Sequence, residues 1–218
     1  MAQFVDRRHA GRMLAAQLER YRDGSPFLVL GLPRGGVPVA VEVARTLQAN
    51  LDVLVVRKVA VSSHPEVAMG VVAAVGNSIE TVQNDDVLAQ LRDLGEDEEA
   101  FEEAAAHERV ELARRERMYR LGRRPIEVSG RTVILVDDGL ATGATMRAAA
   151  AAVRQREPTR LLVAVPAGSR EVCDQLAEVA DDVVCATMPE PVTAVGQVYN
   201  NFRPITDDEV RQALADSP

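Results

Sequence analysis

Residues 131–146 read RTVILVDDGLATGATM, and the organisation of the chain follows from this run. Val133 to Val136 have the length and β-branched character of a buried strand. Asp137 and Asp138 end it, and a short loop follows with Gly139, Ala141, Thr142, Gly143, Ala144 and Thr145. The alanine-rich run from Met146 to Arg156 has the composition of a helix. Such a strand–loop–helix junction suits a phosphate. Glycines let the backbone approach the anion closely, the first-turn amides have no intrahelical partners, and the helix dipole adds positive potential. Thr142 and Thr145 add hydroxyl donors. Two carboxylates beside a phosphate cradle repel the anion, so they need another purpose. They can accept hydrogen bonds from the vicinal hydroxyls of a sugar, or hold Mg²⁺ through water. The combination describes a sugar phosphate, with the phosphate in the loop and the ribose on the acids.

At these residues, VILVDDGLATGAT from Val133 to Thr145, the chain resembles the phosphoribosyl-pyrophosphate (PRPP) motif of the type I phosphoribosyltransferases. Thirteen consecutive positions agree in residue class, a far more specific signal than a lone glycine motif. Asp and Gly are ordinary turn residues, but turn chemistry alone does not bring phosphate donors and sugar acceptors together. The resemblance implies an α/β fold: a Rossmann-like parallel sheet flanked by helices, with a helical insertion and a small hood or lid region. It also implies transfer of a 5-phosphoribosyl group from Mg²⁺–PRPP to a nitrogen acceptor with release of pyrophosphate, and a homodimer. Relatives that use 6-oxopurines often carry an acid where this chain has Ala141. Alanine there matches the adenine, uracil and orotate branches, so the acceptor stays open among adenine, a pyrimidine and a non-nucleobase amine.

The bulk of the sequence sets bounds. A chain of 218 residues is long enough for one full domain with a sizeable core, and 47% hydrophobic with 27% charged residues is a soluble globular composition. A net charge of −8 argues against a general nucleic-acid binder and against an anionic membrane surface. Cys173 and Cys185 are too few for a disulfide framework and have no metal-ligand spacing with the three histidines, so free thiols in a reducing compartment are expected. No basic-then-apolar leader and no window of about 18 uncharged apolar residues is present, which makes a cytoplasmic location the expectation.

Upstream, residues 6–21 place Ala10, Leu14, Leu18 and Tyr21 on one side at helical spacing, with Asp6 as N-cap. Phe27 to Leu30 is a short apolar strand, followed by the loop GLPRGG, Gly31 to Gly36, and a helix from Val37 to Leu47. This is a second place where backbone amides meet an anion, and Arg34 adds a guanidinium suited to phosphate oxygens. The resembled family binds pyrophosphate on a loop at this place, often with a strained peptide bond, which implies that role for Arg34, Gly35 and Gly36. Leu51 to Val56 reads as another buried strand with Arg57 and Lys58 at its end, on the edge where open α/β sheets bind ligands. The resemblance makes Lys58 a pyrophosphate or transition-state contact and Arg57 a weaker candidate.

Residues 62–76 are polar and turn-rich, then apolar and small; the family has a mobile flap near here, from which His64 is a candidate lid or acceptor-binding residue. Residues 84–124 form an insertion whose charges turn from acidic to basic, with Glu111–Arg115 and Glu116–Arg120 as i,i+4 pairs. A long, mostly solvated helix or helix pair explains it; a lid built of its arginine-rich end and Tyr119 is the alternative. Beyond the central motif come a strand from Arg160 to Pro166, a helix from Glu171 to Val179 capped by Ser169, and a short strand from Val183 to Ala186. Residues 187–218 are a C-terminal tail in which Thr206 and Glu209 form a capping box. There Tyr199 and Phe202 either stack on a planar acceptor or anchor the tail to the core.

The reading is thus a single phosphoribosyltransferase-like domain with catalytic candidates Asp137, Asp138, Arg34 and Lys58. The 5′-phosphate would sit in Ala141, Thr142, Gly143, Ala144 and Thr145. The alternative is a non-catalytic PRPP- or nucleotide-binding regulator on the same fold; the absence of a basic DNA-binding module in the sequence weighs against it.

Overall fold

The computed structural model describes residues 3–22, 26–60, 67–84, 87–89, 98–189 and 194–216. Five strands form a parallel sheet in the order β2-β1-β6-β7-β8: β1 (Phe27–Gly31), β2 (Asn50–Val53), β6 (Thr132–Val136), β7 (Arg160–Ala167) and β8 (Asp182–Thr187). Every residue of β1 and β6 is buried, which is why they read as unbroken apolar runs: in a parallel sheet both faces are covered by helices. Alternate side chains separate onto the two faces. Val29, Ile134, Val136 and Leu162 pack with α1 (Arg7–Leu18) and α2 (Gly36–Leu47). Leu28, Leu30, Val133, Leu135 and Leu161 pack with α4 (Ala144–Arg154) and α5 (Arg170–Leu176). At about 1.5–3 kcal/mol for each fully buried large apolar side chain, this two-sided burial is the main stabilising term and fixes the strand register.

The crossovers leave β1 and β6 in opposite directions, through α2 to β2 and through α4 to β7. These two neighbours therefore form the topological switch point, where open α/β sheets bind ligands at their carboxyl ends. Gly31 pairs with Val136, and the Leu32 amide donates to the Val136 carbonyl at 2.9 Å, so the loops after the two strands begin side by side.

A second sheet corrects the sequence reading of residues 51–76. Leu51 to Val56 is not one strand. The chain leaves the parallel sheet after Val53, and β3 (Val56–Ala60) joins β4 (Ala68–Val75) and β5 (Ser78–Gln83) in an antiparallel sheet ordered β3-β4-β5. The apolar half of the expected flap region is β4, buried along nearly its whole length; residues 61–66, including His64, lie outside the described residues. One face of this sheet, through Val59, Met69, Val72 and Ala74, packs on α3 (Glu98–Arg120). Ala73 and Val75 face the opposite way, toward the α4 side.

The insertion helix is therefore docked rather than mostly solvated. Phe101, Ala105, Leu112 and Tyr119 are buried on α3, while both expected pairs, Arg115–Glu111 and Arg120–Glu116, lie on its surface-facing and terminal turns at 2.8 and 3.3 Å. The tail crosses back over the domain as a 3₁₀ turn at Val195–Val198 and helix α6 (Asp207–Ala215), which is opened by the expected capping box of Thr206 and Glu209.

Candidate active site

Asp137 and Asp138 follow β6 directly, and their positions are fixed by close packing from three directions. The Asp138 amide donates to Asp137 Oδ1 at 2.8 Å, which turns the first carboxylate back on the chain. The PRGG loop presses on the second. A Cβ at Gly35 would overlap the Asp138 carboxylate, so only glycine lets this loop lie against the acid. From below, Arg7 Nε donates to Asp138 Oδ2 at 2.7 Å, and the Tyr199 hydroxyl donates to the Asp138 backbone carbonyl at 2.6 Å. Among the described residues, Asp137 Oδ2 and Asp138 Oδ1 have no protein donor. Two adjacent acids thus present one open oxygen each. Burial pushes both carboxyls above the ordinary range. The Asp138 charge adds to that rise at Asp137, and Arg7 opposes it at Asp138.

The loop after the acids is shaped like an anion cradle. Leu140 is pinned by its amide to the Ala167 carbonyl at 2.8 Å, while Ala141, Thr142, Ala144 and Thr145 are exposed around buried Gly143. Gly143 adopts φ 70° as the residue before α4, and a Cβ there would come within 2.5 Å of Val172 Cγ1. Left-handed backbone and close packing both demand glycine. The Ala144 amide leans on Thr142 Oγ1 at 3.4 Å, and the first-turn amides of α4 have no intrahelical acceptors.

The basic candidates stand apart from one another. The peptide bond between Pro33 and Arg34 is cis, and Arg34 reaches out to Asp207 at 3.9 Å with a half-exposed side chain. On β3 the two-residue alternation of a strand sends Arg57 and Lys58 to opposite faces. Arg57 turns to α3 and binds Glu108 at 2.7 Å. Lys58 is exposed and lines a cavity of about 730 Å³ together with Ala144, Thr145 and Arg147, between the antiparallel sheet and α4. A hollow of about 40 Å³ shares Thr145 and Val56 with that cavity and is walled by Pro33, Arg115 and Tyr119. The insertion thus reaches the edge of the site through Arg115 and Tyr119. Tyr119 is buried, however, and its hydroxyl, pushed up to about 12 by burial and by its bond to Asp207 at 2.8 Å, ties α3 to α6.

Tyr199 and Phe202 are held underneath the acids. Their rings stack at 5.0 Å, and the Arg7 guanidinium carbon lies 3.9 Å from the Phe202 ring centre and 5.9 Å from that of Tyr199, so the cation and the two rings form one cluster. This geometry is that of the anchor, the second of the two roles read from the sequence. Arg7 is the residue the sequence reading missed. Its signal was present: Arg7 stands on the same helical stripe as Ala10, Leu14 and Leu18, where a charged residue is out of place.

Comparison with known proteins agrees with this architecture. A family model described as a phosphoribosyl transferase domain matches residues 5–200. The Mycobacterium tuberculosis (strain H37Rv) protein Rv0571c, which carries the provisional name of a phosphoribosyl transferase, is 46% identical over 210 residues, covering 96% of this chain and 46% of its own length. The chain therefore spans about half the length of the curated relatives it matches. The crystal structure of TT1426 from Thermus thermophilus superposes with a TM-score of 0.85 at 43% identity, covering 100% of this chain and 99% of that one. AQ2163 from Aquifex aeolicus shares the fold at a TM-score of 0.51 and 10% identity, over 97% and 86% of the two chains.

Proposed function

The chain belongs to the phosphoribosyl transferase domain family, and from that premise we propose that it transfers the 5-phosphoribosyl group of Mg²⁺–PRPP to a nitrogen acceptor, a nucleobase or related amine, releasing pyrophosphate. One observation carries the reading. At the β1/β6 switch point two acids, each with an open oxygen, stand between an exposed Thr-Gly cradle at the start of α4 and the PRGG loop, which glycine brings into contact with Asp138.

Ala141 to Thr145 hold the 5′-phosphate through backbone amides and the two threonine hydroxyls. Asp137 and Asp138 accept the ribose hydroxyls on their open oxygens. Arg34, the Gly35 and Gly36 amides and Lys58 take the pyrophosphate. As the bond to pyrophosphate lengthens, cationic character develops on the ribose, and the carboxylates stabilise it from fixed positions while Arg34 and Lys58 accept the charge leaving with pyrophosphate. The acceptor nitrogen then attacks, so no protein nucleophile is needed.

The donor set fits Mg²⁺ in the form of a metal shared with its substrate. Two carboxylates stand together, and no group of three or more His, Cys, Asp or Glu side chains suited to a metal occurs among the described residues. Mg²⁺ commonly takes one or two carboxylates, substrate phosphates and water. When bound it would neutralise charge on the pyrophosphate.

The test is isothermal titration with Mg²⁺–PRPP followed by a pyrophosphate-release screen over nucleobases and small amines. Binding with release for one acceptor supports the transferase. Binding without release from any acceptor replaces it with a regulator, and absence of binding overturns the site. Asp137→Asn with Asp138→Asn is expected to abolish transfer in a protein that still folds.

A further inference from the structure

We propose that Arg7 is a positioning residue of the site: it fixes the Asp138 carboxylate so that only Oδ1 faces the ribose. The inference rests on the proposed role of Asp138 as a ribose contact. Arg7 lies 131 positions before Asp138 in the chain, outside both phosphate loops, yet its Nε donates to Asp138 Oδ2 at 2.7 Å. Their side chains are only 8% and 15% exposed. A cation so buried is costly unless paired, and Asp138 is the one carboxylate with which it forms an ion pair among the described residues.

The geometry of the pair is what suggests positioning rather than simple neutralisation. Arginine commonly grips a carboxylate through two parallel bonds, which would occupy both oxygens. Here a single bond from Nε takes Oδ2 and leaves Oδ1 open. The guanidinium is itself held on other sides: its NH1 donates to the Arg203 carbonyl at 2.9 Å, and its Cζ lies 3.9 Å from the Phe202 ring centre. Phe202 stacks on Tyr199, whose hydroxyl returns to the Asp138 carbonyl. Gly35 closes the opposite side. Asp138 is therefore wedged between the first turn of α1, the C-terminal tail and the PRGG loop. Rotation of its carboxylate would break the ion pair or strike the loop. The N-terminal helix and the tail, which lie outside the two phosphate loops in sequence, thereby set the direction in which an acid presents its lone pairs.

The experiment compares ribose 5-phosphate with its 2-deoxy and 3-deoxy analogues as calorimetric probes, in the wild type and in Arg7→Gln, Arg7→Lys and Tyr199→Phe, each checked for folding by circular dichroism. A hydrogen bond to a charged group corresponds to about a tenfold preference for ribose 5-phosphate over the analogue lacking that hydroxyl. In Arg7→Gln the larger of the two preferences should shrink to about twofold, while affinity for that analogue stays within about twofold of wild type. Arg7→Lys, which keeps the charge on a different stem, should restore part of the preference, and Tyr199→Phe should reduce it less. Equal weakening of all three probes would mean that Arg7 only supports the fold, and unchanged preferences would mean that Asp138 needs no such holder; either overturns the proposal. Should Arg7→Gln fail to fold, the Arg7→Lys and Tyr199→Phe preferences decide, and wild-type preferences in both overturn it. A wild type that binds ribose 5-phosphate without any hydroxyl preference overturns the ribose role of the acids, and the Arg7 proposal with it.

Discussion

A methyl group at position 35 would meet the Asp138 carboxylate, yet the backbone there, at φ −62° and ψ −36°, is one that alanine adopts freely. Gly35→Ala is therefore expected to add no backbone strain of its own, to weaken Mg²⁺–PRPP binding by about tenfold in calorimetry by displacing Asp138, and to lower the melting temperature only as far as it loosens the buried Arg7–Asp138 pair. Gly143→Ala should behave differently. The φ of 70° and the approach to Val172 charge it with about 1–3 kcal/mol of strain, so thermal unfolding should shift downward as well as phosphate binding. Comparing the two variants separates a glycine required by the site from one required by the backbone. Asp137, Asp138 and the Thr142–Thr145 cradle were legible in the sequence because their chemistry is contiguous. Arg7 was legible only in part: its place on the apolar stripe marked it as out of place, but nothing marked its partner, which is remote in sequence. The direction of Lys58 was likewise hidden, since it depends on a strand register that one residue reverses.

Among the elements, the parallel strands announced themselves as apolar runs, whereas the antiparallel sheet did not. The stretch Val53 to Val56 is uniformly apolar, so nothing in its composition marks where the chain passes from β2 to β3. On α3 the charge bias concealed a buried stripe of Phe101, Ala105, Leu112 and Tyr119. The end of that helix is tied to β2 through Arg120, whose NH1 lies 3.2 Å from Asp52 Oδ2 and whose NH2 donates to the Val53 carbonyl at 3.3 Å. Both side chains are under 10% exposed. Arg120→Met should cost about 3 kcal/mol, because it removes the cation from a buried carboxylate that then keeps only the Val53 and Ile126 amides, and the loss would appear as a lower urea midpoint with little change in slope. A second tie joins α4 to the far edge of the sheet. Asp181 accepts from the Leu161 amide and pairs with Arg154, each at 2.7 Å, and the Arg154 bond holds its carboxyl below the usual range. A carboxyl lowered by folding adds stability above its unfolded value of about 3.9 and loses it as pH falls through the folded value. Asp181→Asn should therefore reduce stability at neutral pH and flatten its decline below about pH 4.

At the scale of the molecule, the proposed site bridges two sheets that also meet through shared core packing. The acids, the cradle and the PRGG loop all rise from the carboxyl edge of the parallel sheet, while Lys58 comes from the antiparallel sheet across a cavity of about 730 Å³. No helix among the described residues is long and apolar enough to cross a membrane. A ligand carrying a phosphate at one end and a pyrophosphate at the other would cross-link the layers, and its binding energy would appear as resistance to unfolding. At a ligand concentration of about 100 Kd that linkage is worth about 2.7 kcal/mol. For a chain of this size each kcal/mol raises the melting temperature by about 2–4 °C, so Mg²⁺–PRPP should raise it by about 5–10 °C. Removing Mg²⁺ with a chelator should abolish most of the rise, and Asp137→Asn with Asp138→Asn should abolish it entirely. Lys58→Ala, which alters only the antiparallel layer, should reduce the rise obtained with Mg²⁺–PRPP but not that obtained with ribose 5-phosphate, which has no pyrophosphate to span the gap. An equal reduction with both ligands would place Lys58 outside the pyrophosphate site and would mean that one layer binds the substrate alone.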